Sequence, residues 1–195
     1  YPNNIEKKLN KNIILDPTTP YSVSKAAGEN LINFYSKNFF LNSVILRFFN
    51  IYGERQNVKS EYAAVIPKWI NSIMNQVPIE IFGDGNTSRD FCYIKNVIQA
   101  NLLAATTDNP NALNQIYNVA FGGRTSLNDL FNIINTTCSK FGFNYSLEPK
   151  YKDFRPGDIK HSNADISKIK KLLNYDPIYD VSKGLSETIR WYVES

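Results

Sequence analysis

The chain has 195 residues, 43% of them hydrophobic and 21% charged, enough for one domain with a sizeable core or two small lobes. No stretch reaches transmembrane length, which excludes a helical membrane protein. The net charge of +4 is spread over scattered lysines, with one dense run at 168–171. That pattern reads as a solvated surface rather than a nucleic-acid-binding one, with attraction for anionic small molecules as a second reading. The two cysteines, Cys92 and Cys138, form neither a metal nor a disulfide pattern and read as buried thiols in a reducing, cytoplasmic compartment. The first residue is Tyr rather than Met and no signal peptide is visible, so the opening residues read as the middle of something longer.

Residues 1–20 read as irregular, with Asp16-Pro17 and Thr19-Pro20 marking turns. A helix is predicted over 21–40, with Ala26, Ala27, Leu31, Ile32, Phe34 and Tyr35 as an apolar stripe for core or dimer packing. Tyr21 and Lys25 stand four apart, which puts a phenol and an ammonium on one helix face. A neighbouring cation favours the phenolate, so this tyrosine is suited to take and return a proton on a substrate hydroxyl. Alone, the spacing is a weak signal that surface pairing also produces. The run 43–50 is apolar until its last residue, Asn50. It predicts a strand buried on both faces of a parallel sheet, with Asn50 at the carboxyl end, where ligands of open α/β sheets bind.

A polar loop over 54–62 precedes a helix over 63–75, with Pro67 early enough to be tolerated. Residues 79–82 alternate as a short strand and 83–86 form a Gly turn. Arg89 then stands before a helix over 95–106. It reads either as half of a buried pair with Asp90 or as a phosphate ligand, which its guanidinium fork matches. A strand over 116–120 leads to Gly122-Gly123-Arg124, and Thr125 or Ser126 is placed to cap a helix over 127–140. A strand over 143–150, the charged loop Arg155-Pro156-Gly157-Asp158 and helices over 165–173 and 181–193 complete the chain, with Trp191 and Tyr192 as a terminal apolar anchor. The alternation predicts an α/β fold. The Gly-rich loop that cradles a dinucleotide pyrophosphate is absent from the sequence.

Five pieces together resemble the extended short-chain dehydrogenase/reductases, the NAD-dependent nucleotide-sugar epimerases and dehydratases. They are Pro20-Tyr21-Ser22-Val23-Ser24-Lys25, the run Leu46 to Gly53, Gly83-Asp84-Gly85 with Arg89-Asp90-Phe91, Tyr117-Asn118-Val119, and Arg155-Pro156-Gly157-Asp158. They span nearly the whole chain but correspond to the carboxyl-terminal part of a family member. The resemblance implies a partial Rossmann-type parallel sheet plus a small α/β substrate-binding lobe. Residues 1–60, interleaved with about 84–120, would belong to the NAD-binding domain, and 61–195 mainly to the lobe.

Within the family the sequence is most similar to UDP-N-acetylglucosamine 4-epimerases of polysaccharide biosynthesis. The resemblance then makes Tyr21 the acid/base at the sugar 4-hydroxyl and Lys25 its partner, which also holds the nicotinamide ribose. Phe48 and Phe49 would lie near nicotinamide and sugar. Asn50, Arg89 and Arg155 would hold the diphosphate, and Asp158 the uridine ribose. Val65 would lie near the uracil with Ala64 beside it among the substrate contacts, and Arg124 is a weaker nucleotide candidate. The implied reaction oxidises C4 at the expense of NAD, turns the 4-keto sugar and reduces its other face. Ser162 is small where related enzymes restricted to unacetylated sugars carry a bulky Tyr, which implies room for an N-acetyl group; alternatively it caps the following helix. His161 reads as a pocket-wall or loop residue. A homodimer through the helix over 21–40 is implied, and the chain alone is expected to be inactive and poorly stable. The rival readings are a nucleotide-sugar 4,6-dehydratase or decarboxylase, a non-catalytic UDP-sugar-binding fragment, and a reductase of a non-sugar substrate.

Overall fold

The structure, a computed structural model, describes residues 17, 19–57, 65–154 and 160–194. In chain order the elements are α1 (Pro20–Asn38), β1 (Val44–Phe48), β2 (Ile51–Tyr52), α2 (Val65–Met74), β3 (Glu80–Phe82), β4 (Ser88–Arg89), β5 (Cys92–Tyr93), α3 (Ile94–Thr106), a 3-10 turn (Pro110–Ala112), β6 (Gln115–Val119), β7 (Thr125–Ser126), α4 (Leu127–Lys140), β8 (Lys150–Lys152), α5 (Ser167–Leu173) and α6 (Val181–Glu194). Helices and parallel strand pairs make this an α/β fold of Rossmann type.

Local chemistry sets several boundaries. Thr19 caps α1 in a reciprocal capping box with Ser22, and Pro20 occupies the first turn, where its missing N–H costs nothing. Ser126, rather than Thr125, caps α4 by accepting the Asp129 amide at 3.0 Å. Gly83 and Gly85 lie at φ 81° and 75°, and the space of their absent side chains is filled by Phe154 and Asn128.

Two apolar cores lie side by side. In the first, β1 and β6 pair in parallel from Val44↔Gln115 to Phe48↔Val119. Phe49, Val97, Ala100, Tyr117, Val119, Ile169 and Tyr175 fill the core beneath them. The second gathers α2, α4 and α6 around Tyr52, Ile66, Ile70, Ile73, Tyr93, Leu130, Ile134 and Leu185. The parallel pair β2–β5 bridges the cores, with Ile51 and Cys92 on one side and Tyr52 and Tyr93 on the other; the parallel pair β3–β8 and the antiparallel pair β4–β7 complete the pairing. The aromatic anchor of α6 is realised through Tyr192, whose hydroxyl donates to the Gln56 carbonyl at 2.9 Å.

Two expectations are corrected. Strand β1 is half-buried rather than enclosed on both faces, and Phe48 is 48% exposed. Among the described strands β6 alone pairs with it. The strand expected over 143–150 is extended chain as far as β8. Tyr145 explains this: its hydroxyl donates to the Val77 carbonyl at 3.0 Å and accepts the Ile79 amide at 3.1 Å. The segment is thus fastened by a side chain before its backbone joins β3.

Gly184 of α6 packs where any side chain would meet Tyr52 and Tyr93; a Cβ there would lie 2.8 Å from Tyr93 Cβ. Gly184→Ala is expected to lower stability by about 1–3 kcal/mol through overpacking, read as a reduced urea midpoint at unchanged slope.

Candidate active site

Two cavities meet at Asn50. The first, about 720 Å³, lies between α1 and β1 and is lined by Tyr21, Lys25, Phe48, Phe49, Asn50 and Ser162 among others. The second, about 550 Å³, is lined by Asn50, Val65, Trp69, Phe82, Arg89 and Phe91 among others. The fold therefore brings six of the sequence candidates into one chamber and Val65 with Arg89 into the next, with Asn50 in both. Arg124 stands apart: it lines a third cavity of about 250 Å³ with Phe91 and Asp180. Ala64, Arg155 and Asp158 lie outside the described residues.

Tyr21 sits one residue into α1 and is 73% exposed, so its ring faces open space rather than core. The Lys25 ammonium lies 5.3 Å from the Tyr21 ring centroid, within cation–π range. Helix α1 has no buried residue. It is held beside β1 by a fork in which Arg47 Nε donates to Glu29 Oε2 at 2.9 Å and Nη2 donates to the other oxygen. The hydroxyls of Ser36 and Ser43, 2.7 Å apart, add a second tie.

At the end of β1, Asn50 adopts φ 33°, a left-handed conformation that Asn tolerates better than most residues. Its side-chain amide donates to the Asp90 carbonyl at 3.1 Å and its own carbonyl accepts the Cys92 amide at 3.2 Å. Arg89 points into the second cavity's wall while its Nη1 donates to the carbonyls of Ser88 at 3.0 Å and Lys160 at 3.4 Å. These bonds fix the orientation of the guanidinium in that wall.

The neighbouring Asp90 behaves differently from the sequence picture of an Arg partner. Its buried carboxylate accepts backbone amides from Phe121, Gly122 and Ala164. Burial pushes it up from the ordinary carboxylate range to about 6, against the pull of those amides.

His161 shares a 2.8 Å hydrogen bond between Nδ1 and Ser88 Oγ, and the Ser162 amide donates to the Ser88 carbonyl at 3.1 Å. Ser162 is not a helix cap: α5 begins at Ser167 with Ile166 as N-cap. The sequence reading missed Trp69, Phe82 and Phe91 as lining residues. Phe82 alone carried a signal, as the last residue of an alternating strand beside a Gly turn. Cys92 and Cys138 are buried thiols. Among the described residues no cluster of His, Cys, Asp and Glu is arranged to hold a metal, and no helix is long and apolar enough to cross a membrane.

Residues 1–120 match the model of the NAD dependent epimerase/dehydratase family. A Methanocaldococcus jannaschii protein, provisionally a UDP-glucose 4-epimerase by its name, is 38% identical over 184 residues, covering 94% of this chain and 56% of the relative. A UDP-N-acetylglucosamine 4-epimerase from Methanobrevibacter ruminantium, solved with UDP-N-acetylmuramic acid, superposes with TM-score 0.89 at 38% identity, over 98% of this chain and 59% of that one. A UDP-glucuronic acid 4-epimerase from Bacillus cereus, solved with UDP-glucuronic acid and NAD, gives TM-score 0.82 at 29% identity, over 97% of this chain and 57% of that one. Nucleotide-sugar 4,6-dehydratases also match. The chain thus spans less than two thirds of the length of the proteins it matches.

The left-handed Asn50 makes a checkable ordering. Asn50→Ala loses both the backbone ease and the bond to Asp90 and is expected to cost about 1–3 kcal/mol. Asn50→Gly, which restores the backbone freedom, is expected to cost less; urea melts of the two variants decide.

Proposed function

Because the chain belongs to the NAD dependent epimerase/dehydratase family, we propose that the protein carrying it is a 4-epimerase of a UDP-sugar, interconverting UDP-N-acetylglucosamine and UDP-N-acetylgalactosamine. The observation that carries this reading is the junction at Asn50. One cavity holds an exposed phenol with an ammonium beside it, and the other, entered past the same residue, holds a braced guanidinium. A nucleoside diphosphate in the Arg89 cavity would reach its sugar past Asn50 to Tyr21.

In this reading Tyr21 removes and returns the proton of the sugar 4-hydroxyl, and Lys25 stabilises its anionic form. Asn50 and Arg89 hold the diphosphate, and Val65 borders the base. Ala64, Arg155 and Asp158 keep the base, diphosphate and ribose contacts that the family resemblance gives them. Arg124, in its separate cavity, adds positive potential that draws the diphosphate in. The open chamber against Tyr21, Lys25 and the half-exposed Phe48 suits a nicotinamide ring and ribose, and these three residues would hold that end of NAD. When bound, NAD supplies the acceptor and donor of the C4 hydrogen. Ser162 closes the sugar chamber with a small side chain and leaves room for an N-acetyl group.

We assign residues 1–60 and about 84–120 to the cofactor side and the remainder mainly to the sugar-nucleotide side, a division supported by the two cores. The exposed Leu31, Phe34 and Tyr35 of α1 suit a homodimer contact, and the buried thiols suit a cytoplasmic setting. A 4,6-dehydratase is the second reading, favoured by the dehydratases among the matches.

The protein incubated with NAD and UDP-N-acetylglucosamine is expected to yield the 4-epimer, followed by proton NMR of the anomeric signals. A 4-keto-6-deoxy product would favour the dehydratase, and an unchanged sugar would reject both. Tyr21→Phe is expected to lower kcat by about 10²–10⁴-fold with little change in UDP affinity. Ser162→Tyr is expected to abolish turnover of the acetylated sugar while sparing UDP-glucose; equal loss for both would remove the steric argument.

A further inference from the structure

Asp90 borders neither of the two cavities that meet at Asn50, yet the walls of both are fastened to it. Its carboxylate accepts the amides of Phe121 at 3.2 Å, Gly122 at 3.1 Å and Ala164 at 3.2 Å. Its carbonyl accepts the side-chain amide of Asn50, the residue common to both cavities. Phe121 and Gly122 follow β6, whereas Ala164 ends the run 160–164 that carries Ser162. That run is laid along β4 by three further bonds. The Ser88 amide donates to the Lys160 carbonyl at 2.9 Å, the Ser162 amide to the Ser88 carbonyl at 3.1 Å, and Ser88 Oγ shares a 2.8 Å bond with His161 Nδ1. Strand β4 in turn carries Arg89.

We propose that Asp90 is a positioning residue whose carboxylate clamps the Ser162 run to β4, fixing the distance between the sugar wall and the Arg89 wall. The clamp itself follows from the contacts; its effect on sugar binding rests on the proposed UDP-sugar reading. An ionised carboxylate only accepts, so it can satisfy several converging N–H groups. Protonation turns one oxygen into a donor that faces other donors, and at least one amide loses its partner. The clamp is therefore a proton-sensitive joint.

Burial lifts Asp90 to about 6, so the release falls in the weakly acid range. Of the groups facing it, burial pushes the Cys92 thiol up to about 12 and raises the Tyr175 phenol; His161 is a separate titratable group on the clamped run, so loss of the shift in Asp90→Asn is what assigns it. Arg124 and Asp180 share its third cavity. The sign matters. A carboxyl that holds its proton more tightly folded than unfolded adds stability as pH falls from about 6 toward the unfolded value of 3.8. Loosening of the clamp in that window is local, and a general acid unfolding would have the opposite dependence.

The test uses ¹⁵N-labelled intact protein titrated from about pH 8 to about pH 5. The amide resonances of Gly122 and Ala164 are expected to shift together with one midpoint near 6, and Asp90→Asn is expected to abolish the shift. In the same variant the affinity advantage of UDP-N-acetylglucosamine over UDP is expected to fall by about tenfold, the worth of one buried hydrogen bond, with UDP affinity itself little changed. Separate midpoints, a shift that survives in Asp90→Asn, or an unchanged affinity ratio would overturn the proposal. If Asp90→Asn does not fold, the wild-type titration repeated in His161→Gln decides: the paired shift of Gly122 and Ala164 is expected to persist, and its loss would overturn the proposal. If the wild-type protein binds UDP and UDP-N-acetylglucosamine equally, the sugar reading fails, while the joint titration still judges Asp90.

Discussion

The fork between Arg47 and Glu29 is the constraint on which the site depends. Helix α1 carries Tyr21 and Lys25 but buries none of its residues, so apolar packing does not fix its position. Both side chains of the fork are 13% exposed, which places the pair largely out of water. Such a pair contributes little net energy beyond a hydrophobic contact, yet it tolerates few alternatives: either charge left alone would be costly to bury. Its two parallel bonds also fix orientation as well as distance. Arg47 lies on β1 three residues before Asn50. The same strand that holds the helix therefore delivers the residue at which the two cavities join, and the phenol is registered against Asn50 by a short rigid path.

The parallel register of β1 and β6 extends that path. Both strands end at the same level, Phe48 opposite Val119; the loop after β1 lines the site, and the loop after β6 is tied to it through Asp90. From the first come Phe49 and Asn50, and from the second come Phe121 and Gly122. This is the general consequence of parallel pairing, in which carboxyl ends gather on one edge and irregular backbone there is free to serve a ligand. The second core, built from α2, α4 and α6, supplies the opposite wall with Val65, Trp69 and Leu127. The second cavity thus lies against the α2, α4 and α6 core, while the first lies between α1 and β1.

Much of this was legible in the residue pattern, and the exceptions share a cause. The i, i+4 placement of Tyr21 and Lys25, the turn at Thr19-Pro20 before α1, the cap at Thr125 or Ser126, and the ends of α4 and α6 follow from local rules. So does the placing of Asn50 just beyond the carboxyl end of β1. What local rules missed are partners distant in sequence. Tyr145 reaches the backbone around Val77 and Ile79, and this moved the expected strand to β8. Asp90 was read with its neighbour Arg89, but its carboxylate turns to amides more than thirty residues ahead. Trp69 and Phe91 are buried aromatics, and only the fold shows that they border a cavity.

Selectivity in such a site is not written in the wall residue alone. A small side chain at Ser162 creates space only if the backbone bearing it stays where it is. Here that backbone is held by Ser88 from one side and by Asp90 through Ala164 from the other. Neither anchor lines the chamber beside Tyr21, and both belong to the segment that presents Arg89. The width of the chamber and the position of the guanidinium are consequently set by the same few bonds. A substitution that widened one without the other would have to break them; under the proposed UDP-sugar reading, sugar size and diphosphate grip would then be coupled through one loop.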